Sequence, residues 1–356
     1  MEQIPIPATE SRHRFEFRAT GAEYFRIWIV NLLLTIITLG IYSPWAKVRK
    51  LRYLYGNTLL AGSSFGYHAD PLRILRGRLI ALAVVVTYFI ATRVSPITAL
   101  AVILLVAIAM PWLVVKSRLF AMRMTSWRGL RFDFQQDYRG AYRALLGWMV
   151  LGVLTLGILL PKAMRERYHF VVSRTRYGST DFDCQARTGK FYKTYVIVAL
   201  LALGTIVAAG LVFAAAIAIS ASRGASAAPP GQLSPIVAAA IGLPVYLLFF
   251  AILNGYMNAR ILNEVFGSSS AGPARLHCQL KARRLMWIYL TNILGIVFSL
   301  GLLTPWAQVR LMRYRLDVME VAVTGSLDDF FSSASARSPS AAGEEISDFL
   351  DVDFGF

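Results

Sequence analysis

The chain has 356 residues, of which 56% are hydrophobic and 16% are charged, and its mean hydropathy is +0.53. Its 37 Lys and Arg outnumber its 20 Asp and Glu, which gives a net charge of +17. A nucleic-acid-binding protein would explain the charge but not the hydropathy, whereas a membrane protein with basic cytoplasmic segments explains both. Two cysteines without a CxxC motif exclude a disulfide-stapled secreted scaffold.

Residues 1–26 are expected to be cytoplasmic. Seven long apolar runs follow them. None of the runs alternates with a period of two residues, and all exceed the length of a buried strand, so each predicts a helix. Together they define a membrane domain over residues 27–325. The runs cover residues 27–42, 79–92, 97–115, 144–160, 196–220, 236–253 and 286–303.

The basic residues between the runs leave two topologies open. If all seven runs span the bilayer, the connections 161–194 and 254–285 face outward with thirteen basic residues, against the usual cytoplasmic bias of such residues. In the alternative, runs 27–42, 144–160 and 286–303 are re-entrant and the other four runs span. Every basic connection and both termini are then cytoplasmic.

An internal repeat links the two ends of the membrane domain. Residues 27–53 match residues 288–314 at a shift of 261, and a weaker copy lies near residue 157. Glycine at the end of each run fits a re-entrant turn, and the following proline fits a first helical turn. The signature residues of this predicted repeat are Gly40, Pro44, Trp45, Gly157, Pro161, Gly301, Pro305 and Trp306.

Basic helices and short strands are predicted after each proline. The helices form a collar whose candidate contacts with anionic lipid headgroups are Lys47, Arg49, Lys50, Arg52, Arg310 and Arg313. Glycine and serine beside alternating aromatic residues predict strand-like pieces at 14–18, 57–68, 125–135, 175–185, 267–279 and 324–331. The predicted fold class is mainly α, a polytopic helical membrane protein with internal repeats, a basic collar and short cytoplasmic β-hairpins.

The C-terminal end differs from the rest of the chain in charge. Its last 34 residues carry seven acidic residues against one arginine, a net charge of −6, so the first 322 residues carry +23. Low complexity at 332–343 cannot supply a core, and residues 326–356 are therefore predicted to be an acidic disordered tail.

The segment from residue 15 to residue 68 contains the strings EYFRIWIVNLL, TLGIYSPWAKVRKLRY and FGYH. Through these strings it resembles the YjgN family of bacterial inner-membrane proteins, and the resemblance extends to about residue 325. It implies a multi-pass protein of the bacterial inner membrane. The family brings no established substrate or catalytic residue, so no site is transferred from it.

Asn31 and Asn292 are the candidate intramembrane polar pair, because they occupy equivalent places in two apolar runs. Such amides can line a solute path or only hydrogen-bond a neighbouring helix. The four histidines and two cysteines lack the close ligand pairs of a zinc site, so no metal is expected. No nucleophilic triad, P-loop or GxGxxG motif occurs, and neither catalytic residues nor cofactors are expected.

Two functions remain open from the sequence. Transport or membrane homeostasis of a neutral or lipid-like molecule is the first, since repeats and broken helices are common in transporters. The alternative is a homo-oligomeric scaffold that organises the membrane by binding anionic lipid. An enzyme and a nucleic-acid partner are not expected. The sequence identifies no ligand.

Overall fold

A computed structural model describes residues 10–222 and 235–335 of the chain. The strands are β1 Glu10–Phe17, β2 Thr58–Leu60, β3 Ser63–Tyr67, β4 Thr125–Trp127, β5 Leu130–Phe134, β6 Thr175–Tyr177, β7 Thr180–Cys184, β8 Ser269–Ala271, β9 Ala274–Cys278 and β10 Met319–Thr324. The helices are α1 Gly21–Ile37, α2 Ser43–Gly56, α3 Pro71–Val94, α4 Pro96–Arg123, α5 Tyr138–Ala141, α6 Trp148–Leu154, α7 Leu160–Ser173, α8 Thr188–Ser222, α9 Pro235–Gly267, α10 Ala282–Phe298, α11 Thr304–Asp317 and α12 Leu327–Ser335. A π-helical segment, Tyr142–Gly147, joins α5 to α6.

The predicted fold class is wrong in one main respect, because the strands are not separate hairpins. All ten pair antiparallel in a closed barrel, in the order β1-β10-β9-β8-β7-β6-β5-β4-β3-β2. Closure is made by β1, which pairs with β10 through Glu10↔Thr324 and with β2 through Phe17↔Thr58. Separate hairpins would expose unpaired backbone groups at their edges, and a closed barrel has no edges. The protein is therefore not simply a polytopic helical one.

Helical pairs and tight turns occupy opposite ends of this barrel. Each hairpin is connected to the next by a helical segment, whereas two-residue turns close the hairpins at the other end. In the turns Ala61-Gly62 and Arg128-Gly129 both residues have positive φ, which is the geometry that matches the twist of paired strands. The helices that connect the strands consequently project from one end of the barrel.

Within residues 10–222 and 235–335, four helices are long and apolar enough to cross a membrane. These candidate spans are Pro71–Val94, Pro96–Arg123, Thr188–Ile219 and Ala240–Gly267, and they overlap four of the seven predicted apolar runs. Their beginnings are encoded locally: Asp70 and Ser95 cap α3 and α4 through side-chain oxygens, and a proline follows each cap. The pairs α3–α4 and α8–α9 each leave the barrel and return to it.

Runs 27–42, 144–160 and 286–303 have a different structure. Each forms a helix and a short turn, and a second helix begins at its last residue or directly after it, as in α1–α2, α6–α7 and α10–α11. None of these helices is among the candidate spans of the described chain.

The structure of the C-terminal segment contradicts two further predictions. Residues 324–331 were predicted to be a strand, and the acidic tail was predicted to be disordered from residue 326, yet Leu327–Ser335 form α12. Leu327, Phe330 and Ala334 are buried with Trp127 and other core residues of the barrel. An amphipathic helix can bury this apolar face against the open end of the barrel. The rest of the tail, 336–356, lies outside the described residues.

Candidate functional site

The three helical hairpins α1–α2, α6–α7 and α10–α11 turn with the same backbone geometry. Their turns cover residues 38–42, 155–159 and 299–303, and each contains a leucine at φ +48° to +51° followed by a glycine at φ +93°. The glycines are Gly40, Gly157 and Gly301, the three that the sequence places at the ends of the runs. Only glycine adopts such a conformation without steric cost.

Hydrogen bonds within each turn occupy its backbone groups. The glycine N–H donates to the carbonyl five residues earlier, at 2.7–2.8 Å in all three hairpins. A hydroxyl at the first turn position then accepts the N–H four residues later, as in Thr38 to Tyr42 at 2.9 Å and Ser299 to Leu303 at 2.9 Å. A turn with internally paired backbone groups is compatible with an apolar medium, where water cannot pair them.

The leucines at these turns are almost completely exposed. Leu39, Leu156 and Leu300 have 94%, 96% and 94% of their surface accessible. Ile37 and Phe298 beside two of them are also exposed, at 74% and 84%. Transfer of one such leucine from water to an apolar phase is favourable by about 1.5–3 kcal/mol. Three apolar tips therefore project from the same end of the barrel as the candidate spans.

The two asparagines lie in separate hairpins and bond within them. Asn292 donates to the Ala307 carbonyl at 3.0 Å and accepts from Arg310 at 3.3 Å. Asn31 makes a longer contact of 3.5 Å to the Ala46 carbonyl, and its buried Oδ1 has no partner. No hydrogen bond joins Asn31 to Asn292 among the described residues. Each amide holds the second helix of its own hairpin.

The prolines and tryptophans of the repeat signature occupy the beginnings of the second helices. Pro44, Pro161 and Pro305 are buried in the first turns of α2, α7 and α11. Trp306 packs against Phe25, with ring centroids 4.9 Å apart, and lies over Gly21. A side chain at Gly21 would collide with this indole, so the α1–α11 contact depends on that glycine.

Some arginines of the basic helices form hydrogen bonds to backbone carbonyls, whereas other basic residues of these helices are exposed. Arg52 and Arg313, two of the predicted headgroup contacts, donate to the carbonyls of Ala69 and Ala19 at 3.3 and 2.8 Å. Arg165 of α7 does the same to Ala186 at 3.0 Å. These arginines fasten the second helices to the segments that leave the barrel. Their guanidinium groups form hydrogen bonds to carbonyls at the helical end of the barrel.

Lys47 and Lys50, two further predicted headgroup contacts, line a cleft of about 370 Å³ between α1, α2 and α11. Asn31 and Gln308 line the same cleft. Burial lowers the pKa of the Lys50 ammonium, because the charged form loses hydration there. Arg49 and Arg310 are exposed, and neither forms an ion pair with a carboxylate of residues 10–222 or 235–335.

The histidines and cysteines serve strand packing. His68 bonds the Ser126 hydroxyl at 2.7 Å, and His169 bonds the Cys184 carbonyl at 2.7 Å. Cys184 and Cys278 are buried free thiols. Within the part of the chain that the structure describes, no group of three or more His, Cys, Asp and Glu is placed to hold a metal. That the protein needs neither metal nor cofactor, and that it is not an enzyme, stay predictions.

Two charged residues that the sequence does not single out are Arg118 and Arg167. The apolar run of α4 ends at residue 115, but the helix continues to Arg123. Arg118 therefore belongs to a candidate membrane span. The signal available in the sequence was the uninterrupted helical periodicity beyond the run.

The chain is similar in sequence to several known bacterial proteins. The family model described as "Bacterial protein of unknown function (DUF898)" matches residues 12–349. The inner membrane protein YjgN of Salmonella typhimurium is 32% identical over 161 residues, covering 45% of this chain and 41% of that protein. The YjgN protein of Escherichia coli K12 is 34% identical over 161 residues, covering 44% and 39%. No solved structure matches the chain.

The chain thus spans about two fifths of the length of the curated relatives it matches. Their names confirm the resemblance seen in the sequence and, with the four candidate spans, the location in the bacterial inner membrane. The cytoplasmic placement of both termini stays a prediction. Because the family model covers residues 12–349, the chain belongs to the DUF898 family of bacterial proteins of unknown function.

Proposed function

We propose that the protein serves the homeostasis of the bacterial inner membrane by binding a lipid-like molecule, with three re-entrant hairpins inserted in one leaflet. The observation that carries this proposal is the exposure of Leu39, Leu156 and Leu300 at three turns of equal geometry. Exposed apolar tips on a basic, membrane-anchored protein favour insertion in lipid. Transport of the same molecule stays a prediction.

The chain path supports a barrel on one side of the bilayer. Every helical segment that connects two strands begins and ends at the same end of the barrel. Spanning pairs and re-entrant hairpins alike therefore return to their starting side. The basic residues that follow the prolines lie at this junction, which favours the cytoplasmic side.

The basic helices supply the second part of the proposal. Lys47, Arg49, Lys50 and Arg310 lie on α2 and α11, the second helices of two of the hairpins. Each such charge near an anionic membrane surface contributes about 1 kcal/mol. We infer that they contact headgroups while the tips contact acyl chains.

A membrane-organising role through self-association is the second candidate. The most apolar part of α8 contains no buried residue, so the part of its surface that does not contact α9 is available to lipid or to a second copy. The proposed homo-oligomer would place α8 of one copy against another.

The insertion test uses single cysteines at the tips. In a Cys184→Ala, Cys278→Ala background, Leu39→Cys, Leu156→Cys and Leu300→Cys variants are reconstituted in vesicles and labelled with a polarity-sensitive fluorophore. We expect blue-shifted emission that brominated lipids quench. Ser64→Cys, exposed on strand β3 of the barrel, is the matched control and should show emission as in water. Tips that react with membrane-impermeant reagents as fast as this control would contradict insertion.

The cellular test measures the lipid composition of the inner membrane in a strain from which the gene has been deleted. We expect a changed composition, restored by the wild-type gene but not by a variant with asparagine at all three tips. Equal restoration by both genes, or no change on deletion, would overturn the proposal.

A further inference from the structure

A large cleft near the membrane helices lies between the two spans α3 and α4. It has a volume of about 820 Å³, within the range of about 300–1,000 Å³ that small-molecule sites occupy. One wall is formed by Ile80, Ala81, Val84 and Val85 of α3. Its opposite wall comes from α4, and Arg167 of α7 closes one end.

The chemistry of this cleft changes along its length. The α4 wall runs from Leu105 to Ala121, which is roughly 24 Å of helix at 1.5 Å per residue. Its first part is apolar, with Leu105, Ala109 and Leu113. Its last part carries Arg118, which faces Arg167. The cleft is therefore an elongated apolar slot with two cations at the end nearer the barrel.

The two guanidinium groups have no counter-ion among residues 10–222 and 235–335. They are close enough for their like charges to oppose one another. Neighbouring arginines are paired: Arg123 contacts Asp133 at 3.0 Å, and Arg165 contacts Glu166 at 2.8 Å. A half-buried arginine in a membrane span without an acidic partner favours an anionic ligand. Arg118 and Arg167 therefore line the cleft without an acidic partner among the described residues.

We propose that this cleft binds one anionic phospholipid of the inner membrane. An acyl chain would lie along the walls of α3 and α4, and the phosphate would accept hydrogen bonds from Arg118 and Arg167. Guanidinium forks match the oxygen geometry of a phosphate. The slot is open on its side and long enough for a chain, which favours a bilayer lipid over a free anion. This inference rests on the proposed lipid-binding function and names the site and the ligand class.

The binding test uses the full chain purified in detergent. Native mass spectrometry and thermal shift are measured with phosphatidylglycerol, with phosphatidylcholine and with inorganic phosphate alone. We expect wild type to retain phosphatidylglycerol and to be stabilised by it more than by the other two. An Arg118→Ala, Arg167→Ala double variant should bind it roughly tenfold more weakly or worse, since two charged hydrogen bonds are lost.

Three further variants distinguish loss of the site from loss of general positive charge and from loss of folding. Arg131→Ala removes one exposed positive charge from β5, outside the cleft, and should bind phosphatidylglycerol as wild type does. Ala109→Phe fills the apolar slot but keeps both arginines, and it should also lose the lipid. An Arg118→Lys, Arg167→Lys variant keeps the charge and should retain part of the affinity, which covers the case in which the alanine variant does not fold.

The outcomes distinguish this inference from the proposed function. If both the double variant and Ala109→Phe bind phosphatidylglycerol like wild type, the cleft is not the site, although lipid binding by the protein stands. If phosphate alone stabilises wild type as much as the lipid does, the ligand is a free anion and the inference falls. If wild type binds phosphatidylcholine equally well and the hairpin tips stay in water, the proposed function itself fails.

Discussion

Arg128 and Asp328 form an ion pair of 2.6 Å across 200 residues of sequence. Arg128 lies in the turn between β4 and β5, and Asp328 lies in the first turn of α12. The same guanidinium group is 5.0 Å from the Trp127 ring and 5.7 Å from the Phe331 ring. Ser179 adds a backbone hydrogen bond to the Ala334 carbonyl at 3.0 Å. Two barrel turns therefore hold α12 across the end of the barrel opposite the helices.

The apolar face of α12 should contribute more to its docking than the ion pair does. The Asp328 side chain is 84% exposed, and exposed pairs contribute about 0–1 kcal/mol. Phe330 is buried in the barrel core, where replacement of Phe by Ala costs about 3–5 kcal/mol. We expect Phe330→Ala to abolish, and Asp328→Asn hardly to change, the hydrogen-exchange protection of residues 327–335. Equal effects of the two substitutions would contradict this balance.

The two asparagines should respond differently to replacement by leucine. Asn292→Leu removes bonds to Ala307 and Arg310, and it should lower the free energy of unfolding by about 1–3 kcal/mol. Asn31→Leu removes one long contact and an unpartnered buried oxygen, so its effect should be smaller or stabilising. Thermal unfolding of the two variants in detergent measures the difference. A larger loss for Asn31→Leu would show that its oxygen has a partner in solution.

The α10–α11 hairpin contains two glycines that can be compared directly, one in its turn and one in helix α10. Gly301 has φ +93°, where an alanine is strained, whereas Gly295 is helical and its added Cβ would meet only an ordinary contact at 3.5 Å. Gly301→Ala should therefore destabilise the hairpin by roughly 1–2 kcal/mol. Gly295→Ala should be neutral or stabilise it by up to about 1 kcal/mol. The melting temperatures of the two variants in the same detergent test this order.

Acid should weaken the junction between α5 and α7. The Gly140 N–H and the Arg174 guanidinium donate to Asp137 at 2.8 Å each, and they lower the pKa of its carboxyl. A lowered folded pKa gives stabilisation that is present above the ordinary value of about 4 and is lost as the pH falls below it. We expect the melting temperature to drop below about pH 4, and less steeply in Asp137→Asn. Asp317→Asn, which removes an exposed carboxylate, is the control and should keep the wild-type slope.

Several elements of the fold were predictable from local patterns. Long apolar runs predicted the helices, and the glycine and proline that follow three of them predicted a turn and a new helix. Four of the strand pieces coincide with the hairpins β2–β3, β4–β5, β6–β7 and β8–β9. The candidate asparagines and basic residues were named by composition and position alone. Their roles in the hairpins needed the coordinates, because a hydrogen bond depends on distances that no spacing specifies.

Arg118 was overlooked because helix α4 continues beyond the end of its apolar run. Hydropathy falls after residue 115, but backbone hydrogen bonds continue the helix to Arg123 regardless of side-chain polarity. Arg118 was consequently assigned to a connection. The prediction of a strand at 324–331 failed for a related reason, since its aromatic residues belong to the buried face of α12.

By itself, the sequence determined the membrane location, the helical runs, the turn glycines and the uneven distribution of charge, because each depends on composition or on neighbouring residues. Only the tertiary structure decided that the strands close into a barrel. Closure pairs Glu10 with Thr324, and strands of three to eight residues carry too little local signal to specify such distant partners. Likewise, Arg118 and Arg167 become neighbours only when α4 and α7 pack around that barrel.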